Sequence, residues 1–240
     1  MINFKKTQLA QKDFLIGYLV DKKCDRDCEV PNLIDYIKSR APVKFLLDVG
    51  CAYSHLSYAK KIRDFIVGYH GVDVMPCPET EKIIDYYRVG NATDQIFYFE
   101  KYDLVICVSV IEHAGLSTYS AFFRRERYRL FERLLDLAQK GIWISFPVGL
   151  EYIVCNEQGH PDFCPITRED LEYFEGLAEE KGWKFKERFF YNQGPQAGFN
   201  WYEHQDRDLA LKIPYIDFVG NQSNCIMELS KIERKEKCIN

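Results

Sequence analysis

The stretch Phe45-Leu46-Leu47-Asp48-Val49-Gly50-Cys51-Ala52-Tyr53-Ser54-His55-Leu56-Ser57 constrains the fold more than any other part of this 240-residue chain. An apolar run ends in an acid and a glycine and turns at once into a helix-like pattern, the shape of a nucleotide-binding first β-α turn. Phe45, Leu46 and Leu47 read as a strand buried on both faces. Gly50 lets the backbone turn tightly and approach a ligand, and Ser54 is placed to cap a helix carrying Leu56, Ala59 and Ile62. A second acid adds to this. Tyr69-His70-Gly71-Val72-Asp73-Val74 reads as the next strand, with Asp73 near its C-terminal end, where an acid commonly hydrogen-bonds the ribose hydroxyls of a nucleoside cofactor. Two strand ends therefore point into one crevice.

Strand and helix patterns alternate along the chain, which predicts a parallel sheet with helices on both faces. Residues 1–42 form an N-terminal helical cap, with 7–19 helical, 24–31 a polar turn, and 32–39 a short helix ended before Ala41-Pro42. Pro76-Cys77-Pro78 breaks the chain before a helix over 79–85 and a third strand over 86–90. The fourth strand spans 104–110, a long helix spans 120–139 and ends at Gly141, and a fifth strand spans 142–146. Thr167-Arg168-Glu169-Asp170 has the spacing of a capping box and opens a helix ending near Gly182. The last strands are 185–191 and 225–229, separated by an insert of about 192–223 rich in Gly, Asn and aromatics. The run Arg124-Arg125-Glu126-Arg127-Tyr128-Arg129 reads as the solvated face of a helix whose apolar face is Phe123, Leu130, Phe131 and Leu134. The charged residues from Lys231 to Lys237 read as a solvated tail.

A third motif is Tyr102-Asp103-Leu104-Val105-Ile106-Cys107-Val108-Ser109-Val110-Ile111-Glu112-His113. With the Gly50 turn and Asp73 it makes the sequence resemble the class I S-adenosylmethionine-dependent methyltransferases. In one large branch, the type 11/12-like enzymes, strand 4 begins with an aromatic-Asp pair and ends in a Leu-Glu-His-like tripeptide. The resemblance runs from about Val43 to Phe146 and more loosely to Ser230, and Ala52 and Ser54 stand where the family usually has further glycines. It implies a Rossmann-like α/β fold: a seven-stranded, mostly parallel sheet with helices on both faces and an antiparallel edge hairpin. The methyltransferase domain then covers 43–240 behind the 1–42 cap. It implies S-adenosyl-L-methionine as cofactor, with backbone at Asp48, Gly50 and Cys51 holding the aminocarboxyl end and the following helix N-terminus favouring its carboxylate. Asp73 accepts from both ribose hydroxyls, Asn91 meets the adenine N6 amine, Ala92 offers backbone to a ring nitrogen, and Val108 and Ser109 floor the methionine chain.

A sulfonium is already an activated methyl donor, so alignment of the acceptor carries much of the rate, and a base is needed only for a hydroxyl or a charged amine. His113 is the first candidate, as base or as a brace for the loop after strand 4, because an imidazole titrates near neutrality. His160, in Gln158-Gly159-His160-Pro161-Asp162, is the second, and Arg168 is placed to meet an acidic acceptor. No metal is expected: Cys155, His160 and Cys164, with Cys24 and Cys28 elsewhere, fit no compact zinc knuckle. Cys77 follows strand 2 rather than strand 4, which excludes the Pro-Cys nucleophile of cytosine-5 methyltransferases.

The resemblance implies methyl transfer to oxygen or nitrogen of a small molecule. The aromatic, amide-rich segments Phe190 to Pro195 and Phe199 to His204 suit a saccharide or glycan precursor, and equally a homodimer interface. An RNA or protein methyltransferase, and a non-catalytic cofactor-binding regulatory or assembly subunit, are the alternatives. A dehydrogenase would need the second and third glycines. The net charge of −4 argues against DNA or another polyanion. No apolar run approaches the roughly 18 residues of a membrane helix, no signal-peptide core follows Met1, and nine cysteines then read as reduced thiols. A cytoplasmic protein is expected.

Overall fold

Alternation of buried side chains explains why the central strands are apolar throughout. In a computed structural model, residues 26–94, 101–116, 122–151, 153–155, 161–192, 201–204, 206–212 and 222–232 are described. In chain order the elements are α1 (Arg26–Lys38), β1 (Val43–Val49), α2 (Ala59–Ile62), β2 (Ile66–Asp73), α3 (Pro78–Glu81), β3 (Tyr86–Val89), β4 (Tyr102–Val108), α4 (Arg124–Leu137), β5 (Ala138–Pro147), β6 (Val154–Cys155), β7 (Pro161–Phe163), α5 (Arg168–Glu180), β8 (Trp183–Asn192), β9 (Trp201–His204), α6 (Arg207–Ala210) and β10 (Gln222–Lys231). The main sheet has the order β3-β2-β1-β4-β5-β10-β8-β9. Strands β3, β2, β1, β4 and β5 pair in parallel, and β10 runs antiparallel to both β5 and β8.

Each central strand feeds two cores. Leu46, Ile106 and Trp143 pack on one face with Leu33, Tyr36 and Ile37 of α1 and Ala59 and Ile62 of α2. Leu47, Val105 and Ile144 pack on the other with Phe131 and Leu134 of α4 and Phe174 of α5. Rings Phe131 and Phe174 stack with centroids 4.2 Å apart. The aromatic-Asp pair at the start of β4 has a register function: the Asp103 carboxylate accepts the Phe45 N–H of β1 at 2.9 Å and meets Lys140 of β5 at 2.7 Å. The capping box forms as expected at the start of α5.

Several expectations are corrected. The sheet has eight strands rather than seven, because residues 201–204 of the insert add β9 beside β8. Helix α1 begins at Arg26 and contains Pro31; burial of Cys28, Leu33 and Ile37 against the sheet overrides the turn-like composition. Residues 1–25 of the expected cap lie outside the described residues. Ser54 caps no helix: it opens a 3-10 turn, Ser54–Leu56, and Leu56 is exposed. β4 spans Tyr102–Val108, the expected length but starting two residues earlier, and α4 spans Arg124–Leu137, shorter than its pattern suggests.

Arg127 is not on a solvated face. It is fully buried, and of the apolar face assigned to this helix Phe123 is the exposed member. Gly141 does not end α4 but lies inside β5, facing α1. A Cβ there would stand 2.5 Å from the Tyr36 hydroxyl and 2.9 Å from Leu104 Cδ2. Gly141→Ala is therefore expected to lower stability by about 1–3 kcal/mol through overpacking. Chemical denaturation reads this, and an unchanged midpoint would mean that α1 is not seated on β5 as described.

Candidate functional site

The parallel strands end together, and a cavity of about 1420 Å³ opens beyond β1, β2 and β4. That exceeds the about 300–1000 Å³ common for ligand sites. Its walls are the N-terminal turn of α1, the Gly50 turn, the loops after β2 and β3, and the loop after β4.

Gly50 has a φ of +79° and donates its N–H to the Val72 carbonyl at 2.8 Å. A Cβ would lie 2.1 Å from Val110 Cγ2, so only glycine fits between the two turns. Asp73 lines the cavity with its carboxylate locked in place. One oxygen accepts the Ala52 N–H and the other the Met75 N–H, each at 2.9 Å. Both oxygens keep lone-pair capacity for further donors.

Other expected residues are placed differently. Val49 and Gly50 line the cavity, whereas Asp48 and Cys51 do not. Strand alternation turns the Asp48 side chain toward α2, where it is fully buried and accepts from the Tyr58 and Tyr69 hydroxyls at 3.0 and 2.7 Å. Burial pushes its carboxyl up to about 7, against the pull of these two donors. Cys51 folds under Gly71. Val108 is core, and the lining positions at the end of β4 are Ser109 and Val110.

Asn91 and Ala92 both line the cavity. The Asn91 side-chain oxygen already accepts the Thr93 N–H and hydroxyl, both at 3.0 Å. Its free group is therefore the amide NH₂, a donor suited to a ring nitrogen rather than to an N6 amine. The segment after Gly50 is broken into three- and four-residue turns, too short for a useful macrodipole. Lys61 supplies positive charge to the cavity wall instead.

His113 lines the cavity from a short turn, Ile111–His113, and its side chain is about half exposed. Nδ1 lies 2.5 Å from the Asp162 carbonyl. A carbonyl only accepts, so Nδ1 carries the proton and the neutral ring keeps a basic Nε2. Partial loss of hydration draws its affinity for a second proton down, against the opposing pull of the Asp162 carbonyl. His160 lies outside the described residues. Arg168 does not line the cavity and pairs with Asp208 at 2.5 Å.

Sequence reading missed two acids here. Glu29 of α1 is fully buried and bonds to Ser109, Asn224 and Arg26. Glu112 is buried, one of its oxygens has no hydrogen-bond partner, and burial pushes its carboxyl up to about 8. Only the Glu-His pairing hinted at Glu112, and nothing in the local spacing marked Glu29.

The sign of the Glu112 effect follows from linkage. Below pH 4.5 both folded and unfolded states hold the proton and full stability is present. Between 4.5 and about 8 the unfolded chain ionises first, so stability falls as pH rises. Glu112→Gln has no such proton to lose. Its melting temperature relative to the unsubstituted protein is expected to rise by several degrees from pH 5 to pH 8; a pH-independent difference would contradict the raised value.

No family model matches the chain, and no curated protein matches it. Solved structures do. The magnesium protoporphyrin IX methyltransferase of Synechocystis, solved with S-adenosylmethionine, shares 14% identity over 97% of this chain and 86% of its own, with a TM-score of 0.50. The N-methyltransferase NodS of Bradyrhizobium japonicum, solved with S-adenosylhomocysteine, shares 15% over 87% and 89%, at 0.51. The 1,6-didemethyltoxoflavin-N1-methyltransferase of Burkholderia thailandensis shares 10% over 97% and 92%, at 0.55. Nearly the whole chain is covered by these likenesses, and its fold is that of the class I S-adenosylmethionine-dependent methyltransferases.

Proposed function

We propose that the protein transfers a methyl group from S-adenosylmethionine to an oxygen or nitrogen of a small-molecule acceptor. The observation that carries this reading is Asp73, whose carboxylate is fixed by two backbone N–H groups and faces the cavity beside the Gly50 turn. A pre-oriented carboxylate at a second strand end suits a ribose diol. Asn91 and Ala92 flank the place for an adenine ring, while Gly50, Ser109 and Val110 flank the place for the amino-acid chain. The bound sulfonium would supply an activated methyl group. The protein's own contribution is alignment, exclusion of water and a base. His113 is that base in our reading: Asp162 holds its proton on Nδ1 and leaves Nε2 to take one from the acceptor.

The acceptor half of the cavity combines Leu116, Phe123 and Leu130 with His113, Glu126 and Asp162. This fits an acceptor with an apolar body and one nucleophilic atom. The saccharide reading keeps less support, because Phe190 is buried in the core and Trp201 packs against it. Tyr202 is the exposed ring of β9. We read 43–240 as the transferase domain and 1–42 as its cap. Cytosolic residence fits the free thiols of Cys28, Cys51, Cys77, Cys107, Cys164 and Cys225 among the described residues. No helix among the described residues is long and apolar enough to cross a membrane.

Asp73→Ala is expected to weaken S-adenosylhomocysteine binding by about 1.5–3 kcal/mol, roughly ten- to hundredfold. Calorimetry measures this, and no heat with the unsubstituted protein, or an unchanged affinity in the variant, would sink the assignment. For His113→Gln the expectation is intact cofactor affinity with turnover about a hundredfold lower, the usual scale for a positioned base. A variant that melts lower and binds cofactor poorly would instead make His113 a brace.

A further inference from the structure

We infer that Glu29 is a positioning residue of this cavity, acting through the backbone of Ser109; the inference rests on the cofactor reading above. Glu29 lies in the first turn of α1 and is fully buried. Its Oε1 accepts the Ser109 hydroxyl at 2.5 Å and the Asn224 amide at 3.1 Å, and its Oε2 meets Arg26 at 2.6 Å. One carboxylate thus joins α1, the end of β4 and β10.

Ser109 is the non-glycine residue with positive φ among the described residues, at +48°. A left-handed backbone costs an L-residue about 1–2 kcal/mol and persists only where the surroundings hold it. Two bonds hold Ser109: its N–H to the Ser145 carbonyl at 3.0 Å, and its hydroxyl to Glu29. The next residue is Val110, whose methyls press on Gly50. The direction in which the chain leaves β4 therefore sets the gap between Val110 and the Gly50 turn, where both line the cavity. Without the carboxylate, the Ser109 hydroxyl loses its acceptor and the backbone can relax toward negative φ, moving Val110 against Gly50. Helix α1 thereby shapes the cavity floor as well as forming part of its wall.

A double-mutant cycle tests this, because glycine adopts positive φ without a side-chain tether. Glu29→Ala is expected to weaken S-adenosylhomocysteine binding tenfold or more by calorimetry, and Glu29→Gln, which keeps an accepting oxygen, to lose less. In a Ser109→Gly background, Glu29→Ala should weaken binding less than twofold. A helix-docking role alone would leave the loss the same in both backgrounds, and that result overturns the inference. Melting of the same four proteins without ligand gives a separate reading. Ser109→Gly should raise the melting temperature of Glu29→Ala more than that of the unsubstituted chain, and equal shifts overturn the link. A wild-type chain that takes up no S-adenosylhomocysteine removes the cofactor reading, while the melting cycle still decides the Glu29–Ser109 coupling. If Glu29→Ala does not fold, Ser109→Ala removes the same contact from the other side, and an affinity within twofold of wild type there overturns the inference.

Discussion

A guanidinium with no exposed surface must have its charge met by protein, and around Arg127, whose two terminal nitrogens find acceptors while Nε finds none, that requirement organises one half of the molecule. From α4 it reaches the Asp170 carboxylate at 2.7 Å, the Cys164 carbonyl at 2.6 Å and the Glu112 carbonyl at 3.3 Å. Asp170 also closes the capping box that starts α5. The Glu112 carbonyl accepts the Cys164 N–H at 3.1 Å as well, so the turn carrying His113 and the strand-like segment before α5 are tied to the same cation. Burying an ion costs several kcal/mol unless geometry and hydrogen bonds offset it. Helix α4, the start of α5 and the loop after β4 therefore hold their places together.

The other half of the site is arranged around carboxylates with different partners. Asp73 is held by backbone N–H groups and still faces the cavity, which suits a group that must meet hydroxyl donors without rearranging. Asp48 is the more obvious acid in sequence, yet it is consumed inside the protein by two tyrosine hydroxyls. Those bonds fix the strand end from which the Gly50 turn departs. Glu112, with one orphaned oxygen and a carboxyl that keeps its proton near neutrality, is the least satisfied of the group. Its neighbour His113 is shifted for the complementary reason, since partial loss of hydration disfavours the imidazolium.

Geometry also narrows what the site can do. With its proton fixed on Nδ1 by the Asp162 carbonyl, His113 keeps one basic nitrogen, Nε2, which lies 3.9 Å from the Glu112 carboxyl. With its oxygen occupied by Thr93, Asn91 presents a donor.

What the sequence determined by itself was local or periodic. The run of residues buried on both faces required a central parallel strand, the Asp-x-Gly turn and the acid near the end of the next apolar run placed two strand ends at one crevice, and Thr167 to Asp170 set a helix start. Those features depend on neighbours within a few residues or on side-chain alternation, so spacing reveals them. Tertiary structure decided the rest. Arg127 looks like a surface cation in its charged run, and only a partner 43 residues away makes it buried. Glu29 finds Ser109 at a separation of 80 residues and Asn224 at 195. Gly141 looks like a helix stop but is needed because Tyr36 crosses it. The eighth strand exists because β8 offered an open edge. In each case the deciding contact joins segments whose separation carries no periodic signal, so it is fixed only when packing brings them together.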